Sequence, residues 1–133
     1  MAQTISISQK ELERIAVTMY EGETLVVMLC SVGVTGYTSN SLISDWETVE
    51  KVGNGYVRYN AVIGTGSYSG TAGAYVLPDI DAEFTATVPY NYDSVVIYID
   101  GALYPYSVIT ESAGVALLAG QTQIYRISLR TDD

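Results

Sequence analysis

Residues 82–104 read AEFTATVPYNYDSVVIYIDGALY, and this stretch decides the fold. Ala82, Phe84, Ala86 and Val88 alternate with Glu83, Thr85 and Thr87, the period of a strand with one buried face. Residues 95–99 are apolar and mostly β-branched, and Asp100-Gly101 separates them from Ala102-Leu103-Tyr104. Asp-Gly between two such runs predicts a hairpin. The same pattern recurs on either side. Residues 25–32 form a continuous apolar run, as in a strand buried on both faces. In residues 56–63, Val57, Tyr59, Ala61 and Ile63 alternate with Arg58 and Asn60. Tyr125, Ile127 and Leu129 alternate with Arg126, Ser128 and Arg130 as a closing strand. Weaker strand candidates are residues 74–77 and 115–118, and residues 31–45 and 64–73 read as loops.

One segment has the period of a helix. Ser8 and Glu11 have capping-box spacing, Leu12, Ile15, Ala16 and Met19 share one face, and Gly22 is placed to stop the helix. The spacing predicts a helix over residues 9–20, preceded by an arm in which Thr4-Ile5-Ser6-Ile7 alternates like a short strand. Short strands separated by Gly, Asn, Asp and Pro predict a mainly β chain. The expected form is an antiparallel β-sandwich or sandwich-like barrel with one short N-terminal helix. A length of 133 residues is one domain's worth, with an arm and helix over about 1–21 and a β core over about 23–131.

Composition narrows the function classes. Hydrophobic residues make up 48% and charged residues only 16%, which suits a chain with much of its surface covered by neighbours. The net charge is −9, and Lys10, Arg14, Lys51, Arg58, Arg126 and Arg130 are scattered. Neutralising phosphates requires clustered cations, so neither nucleic acid nor an anionic membrane is an expected partner. The sequence holds no basic-then-apolar leader pattern and no apolar run near membrane-span length. Cys30, the single cysteine, is expected to be an inert core thiol.

Histidine is absent, which removes the commonest general base and metal ligand together. A Ser-His-Asp triad, a Cys-His pair and a zinc site are excluded within one chain. The glycines of Gly64-Thr65-Gly66-Ser67-Tyr68-Ser69-Gly70 fit neither a phosphate loop nor a nucleophile elbow. Asp79, Asp81 and Glu83 project from one strand face, where a solvated surface explains them without calcium. No enzyme activity, cofactor or metal is expected.

Twelve tyrosines stand against one Phe and one Trp. Tyr joins an apolar ring to a hydroxyl, which suits partly wet interfaces. Many of these fit strands. Tyr90 and Tyr92, beside Pro89, and Tyr104 and Tyr106, around Pro105, are the candidate interface residues.

The order of elements resembles small virion structural proteins of tailed bacteriophages, especially those of marine cyanobacteria. The matching features are the amphipathic residues 12–19, the apolar residues 25–29, Trp46, Gly53-Asn54-Gly55-Tyr56 and the alternating residues 57–63. Val95-Val96-Ile97-Tyr98 and Ala119-Gly120-Gln121-Thr122 follow in the same order. The resemblance implies a non-enzymatic virion component, made in the host cytoplasm and carried in the particle as a capsid decoration or head-fibre protein. Its partners would be other virion proteins and copies of itself. The rival expectation is a receptor- or glycan-binding tail or tip module that stacks Trp46 and loop tyrosines on sugars.

Overall fold

A computed structural model describes residues 7–31 and 37–132. The expectations for residues 4–6 and for Val32 therefore lie outside the described residues. The chain forms two compact units, each assembled from separate stretches. The first takes the stretch up to Glu23, Val62–Ile80 and the stretch from Arg126; the second takes Thr24–Ala61 and Asp81–Tyr125.

In the first unit, helix α1 spans Gln9–Met19. Ser8 is extended and accepts the Glu11 N–H on its hydroxyl, satisfying a donor that the first turn leaves orphaned. Leu12 and Ala16 bury the helix face, while Met19, expected on that face, is exposed. Gly22 turns the chain at φ +80°. The helix packs on a three-stranded sheet ordered β3-β4-β9, with β3 at Ser67–Ser69, β4 at Ala74–Val76 and β9 at Arg130–Asp132. Both ladders are antiparallel. Thr131 donates its hydroxyl to the Leu12 carbonyl at 3.0 Å, tying strand to helix.

The second unit is built on a four-stranded sheet ordered β2-β1-β6-β7. Its strands are β1 (Thr24–Cys30), β2 (Tyr59–Val62), β6 (Tyr90–Ile99) and β7 (Ser107–Leu117). β1 and β6 run antiparallel, with Val26 opposite Tyr98, Met28 opposite Val96 and Cys30 opposite Ser94. Opposite residues share a face, so Val26, Met28, Cys30, Val96 and Tyr98 form one apolar surface, covered by Ile43 and Trp46. Leu25, Val27, Leu29, Val95 and Ile97 are buried on the other face, as the continuous apolar run predicts. Ile43 and Trp46 sit on α2 (Ile43–Glu47), a short helix that begins inside the stretch expected to be a loop, residues 31–45, and ends just beyond it.

The remaining strands, β5 (Ile80–Thr85) and β8 (Thr122–Ile127), pair with each other. β5 alternates as expected, with Ile80, Ala82 and Phe84 buried. Strands hold 44% of the described residues and helices 13%, so the class is mainly β with antiparallel sheets and one N-terminal helix. Among the described residues no sheet closes into a barrel.

Four strand expectations need correction. β5 ends at Thr85, so Val88 falls outside it and is exposed, and the closing strand is interrupted, β8 ending at Ile127 and β9 beginning at Arg130. Ala102, Leu103 and Tyr104 do not form the second arm of a tight hairpin. β7 begins only at Ser107, opposite Ile97, because Pro105 has no N–H to give a ladder. Val57 is 74% exposed, because β2 does not begin until Tyr59.

Candidate functional site

The four candidate tyrosines divide into two pairs. Tyr90 and Tyr92 open β6 and alternate with exposed Asn91, so both rings point inward. They are 6% and 1% exposed, which leaves no area for a partner. Tyr56 packs on Phe84 and Tyr90 with ring centroids 6.2 Å away in each case, and Phe84 meets Tyr125 at 6.5 Å. The Tyr92 and Tyr125 hydroxyls lie 2.6 Å apart. Burial, then the bond to Tyr125, pushes the Tyr92 hydroxyl up from its ordinary value. Tyr90 and Tyr92 are therefore core, and the interface reading of them is corrected. Proline at residue 89 precedes the strand; it does not remove the residues that follow from it.

Tyr104 and Tyr106 lie on the loop between β6 and β7 and are 53% and 44% exposed. Leu103, which the sequence reading placed in a strand, is 71% exposed beside them, and Leu42 is exposed on the segment bonded to this loop. The loop backbone is fixed at several points. Asp100 N–H bonds Thr24 O, Ala102 N–H bonds Ile99 O, and Tyr106 N–H bonds Ile97 O at 2.7 Å. Leu103 O accepts the Ile43 N–H at 2.9 Å, which joins the loop to α2. Gly101, at φ +90°, makes the initial turn. The result is a short platform of one leucine and two tyrosines held on the end of the central strand.

Trp46, expected to stack on sugars, is 1% exposed. Its ring lies 5.2 Å from that of Tyr37, and its indole N–H donates to Thr38 O at 3.1 Å. A glycan cannot reach it, so that role is corrected. Cys30 is buried with its thiol 3.6 Å from Trp46 O. Burial, reinforced by the nearby Glu50 carboxylate, holds the thiol at about 12, where it is an inert core group.

The densest polar cluster centres on Glu50. Arg58 bonds its carboxylate in a fork, Nε to Oε2 at 2.7 Å and Nη2 to Oε1 at 2.6 Å. The same guanidinium reaches Glu47 at 2.9 Å and the Tyr98 hydroxyl at 3.1 Å. Tyr56 donates its hydroxyl to Glu50 at 2.5 Å and accepts the Leu29 N–H at 3.1 Å. Each of the three guanidinium nitrogens meets an acceptor, so the cluster locks the segment carrying Glu50 against the sheet. Its chemistry is structural: the bonds to Glu50 hold Arg58 firmly protonated.

Asp81 and Glu83 alternate with buried Ile80, Ala82 and Phe84 on β5 as expected, while Asp79 precedes the strand and accepts the Ser128 hydroxyl at 2.7 Å. Among the described residues no group of three or more His, Cys, Asp or Glu could hold a metal ion. Among them also, no helix is long and apolar enough to cross a membrane.

Fold and site together define a mainly β protein that presents an anchored apolar and aromatic loop. No protein-family model matches the chain, and neither a curated protein nor a solved structure matches it.

Proposed function

We propose that the chain is a non-enzymatic structural component of a tailed-phage virion, a capsid decoration or head-fibre protein that binds the particle lattice and copies of itself. The observation that carries this reading is the exposed Leu103, Tyr104 and Tyr106 on a loop whose backbone is already bonded in place. Ordering a loop on contact opposes association, and a pre-bonded loop largely avoids that cost. The charge pattern supports the same reading. At −9, identical copies repel, so attraction must come from burying apolar and aromatic area, about 25 cal/mol per Å². The resemblance in element order supplies the particle as the setting.

The test is occupancy on the particle. Virions purified through high-salt washes should retain the protein in fixed, high copy, visible as repeated density by cryo-EM. Tyr104→Ser with Tyr106→Ser should lower that occupancy about tenfold, the scale of losing one well-packed contact, while the purified variant keeps its melting temperature. Salt should leave binding unchanged or strengthen it, since it screens the repulsion between acidic copies. Steep loss with salt would replace this mechanism with an electrostatic one.

The same two exposed tyrosines favour one rival, a glycan- or receptor-binding tip without help from Trp46. That rival expects scarce copies per particle and binding of the isolated protein to host-surface glycans.

A further inference from the structure

The strands that end the three sheets are unequal in length. β2 has four residues, β3 and β9 have three each, and β5 and β8, both edges of the two-stranded sheet, have six each. β7 has eleven, and it is the outer strand of the four-stranded sheet among the described residues. Short edges resist pairing with other chains, whereas a long edge offers a row of N–H and C=O groups. Natural sheets protect long edges with Lys, Pro or a bulge. β7 has a bulge, but only in its second half. Ser94 pairs with Thr110 and Tyr92 with Val115, so four residues of β7, 111–114, oppose the single Asp93. Residues 107–110, Ser-Val-Ile-Thr, keep regular register with β6 and carry three β-branched side chains, no charge and no proline.

We infer that two copies of this chain pair antiparallel through residues 107–110 of β7, joining their four-stranded sheets into one eight-stranded sheet across a two-fold axis. This deepens the proposed copy-to-copy binding and rests on that reading. Three observations select a second copy as the occupant. An antiparallel edge is its own complement under a two-fold axis, so one sequence supplies both sides. Residues 101–110 contain no charged side chain in a chain of net charge −9, so repulsion between copies is low at this seam. The exposed Leu103, Tyr104 and Tyr106 immediately precede the strand. Antiparallel pairing brings them alongside the partner's bulge, so one contact covers both the open edge and the apolar loop.

Sedimentation equilibrium of the purified protein tests this, from about 1 μM to about 1 mM, a span covering weak to moderate affinity. The mass should rise with concentration from 14.4 kDa towards twice that value. Amides of residues 107–110 should gain protection from hydrogen exchange in parallel. Thr110 is exposed, so Thr110→Lys and Thr110→Glu should both fold, as circular dichroism would verify. Each places a charge in the otherwise uncharged seam, and both should weaken dimerisation by about tenfold or more. Opposite effects of Lys and Glu would mean that overall charge governs association, and the strand pairing would be wrong. A monomer at every concentration, or a dimer untouched by both variants, overturns it as well. A monomer that still occupies particles through Tyr104 and Tyr106 removes the edge pairing alone. A dimer that no particle contains removes the virion reading and leaves the pairing intact.

Discussion

Tyr92 and Tyr104 are the same residue in opposite circumstances, one 1% and the other 53% exposed. Tyr92→Ser empties a filled site and strips Tyr125 of its hydroxyl partner, at a cost of about 3–5 kcal/mol by analogy with other large aromatic truncations. Tyr104→Ser removes little packing and should change stability by less than about 0.5 kcal/mol. Urea denaturation of the two variants checks this directly. If both lose several kcal/mol, the loop is part of the core and unavailable as a contact surface. The distinction was partly legible in the sequence. Tyr90 and Tyr92 are spaced by two with a polar Asn91 between them, the period of a strand, and continue straight into the apolar residues 95–99. Tyr104 and Tyr106 have the same spacing, but Pro105 stands between them and withholds a ladder donor. Proline at the edge of a strand and proline inside a run mean different things. Leu103 was hidden by the strong Asp-Gly signal before it, which predicts a turn but not how far the chain runs before pairing again.

Among the elements, the β3–β4 hairpin depends on a close backbone approach at Gly66. A Cβ there would lie 2.9 Å from the Tyr75 ring and collide with the Val76 carbonyl. The Gly66 N–H also donates to Glu21 at 2.8 Å, and the Tyr75 hydroxyl lies within bonding distance of both Glu21 and Gly66 O. Gly66→Ala should therefore destabilise the protein by about 1–3 kcal/mol through overpacking. Gly70, which has open space around a built Cβ, is the control, and Gly70→Ala should change the melting temperature little. Equal effects would place the constraint in backbone freedom instead of contact. Helix α1 and strand β5 were legible because each has a clear period and, for α1, a capping residue, and β1 because its apolar run is unbroken. α2 was not, because five residues are too few to display a helical period. Most of β7 was missed because the bulge of Glu111, Ser112, Ala113 and Gly114 breaks the alternation.

For the molecule as a whole, titration gives a further expectation. Cys30 is raised from 9.0 to about 12 by burial, and Tyr75 from 10.0 to about 12 by its bond to Glu21 and by burial. Burial also raises Tyr56 and Tyr92. All four are neutral while protonated. Above pH 9 the unfolded chain releases these protons before the folded one does, so it binds fewer protons and stability falls as pH rises. Below pH 9 this contribution is fully present. The urea midpoint should hold near pH 8 and decline between pH 9 and 12. Cys30→Ala should delay the onset of decline towards pH 10, where the tyrosines begin to titrate. A midpoint that rises over this interval would contradict the burial of these groups.

The division of the chain into interleaved units governs how the protein can be made. The three-stranded sheet of the first unit has β4 at its centre, flanked by β3 from the middle of the sequence and by β9 at Arg130–Asp132. During synthesis α1 and the β3–β4 hairpin leave the ribosome with one side of β4 unpaired, and they wait for about fifty further residues, a delay of several seconds at ordinary elongation rates. A premature stop at residue 126 would strand this unit while leaving all of the sequence of the second. Quality control would then meet an open strand edge, and such a truncated product should be cleared or aggregate.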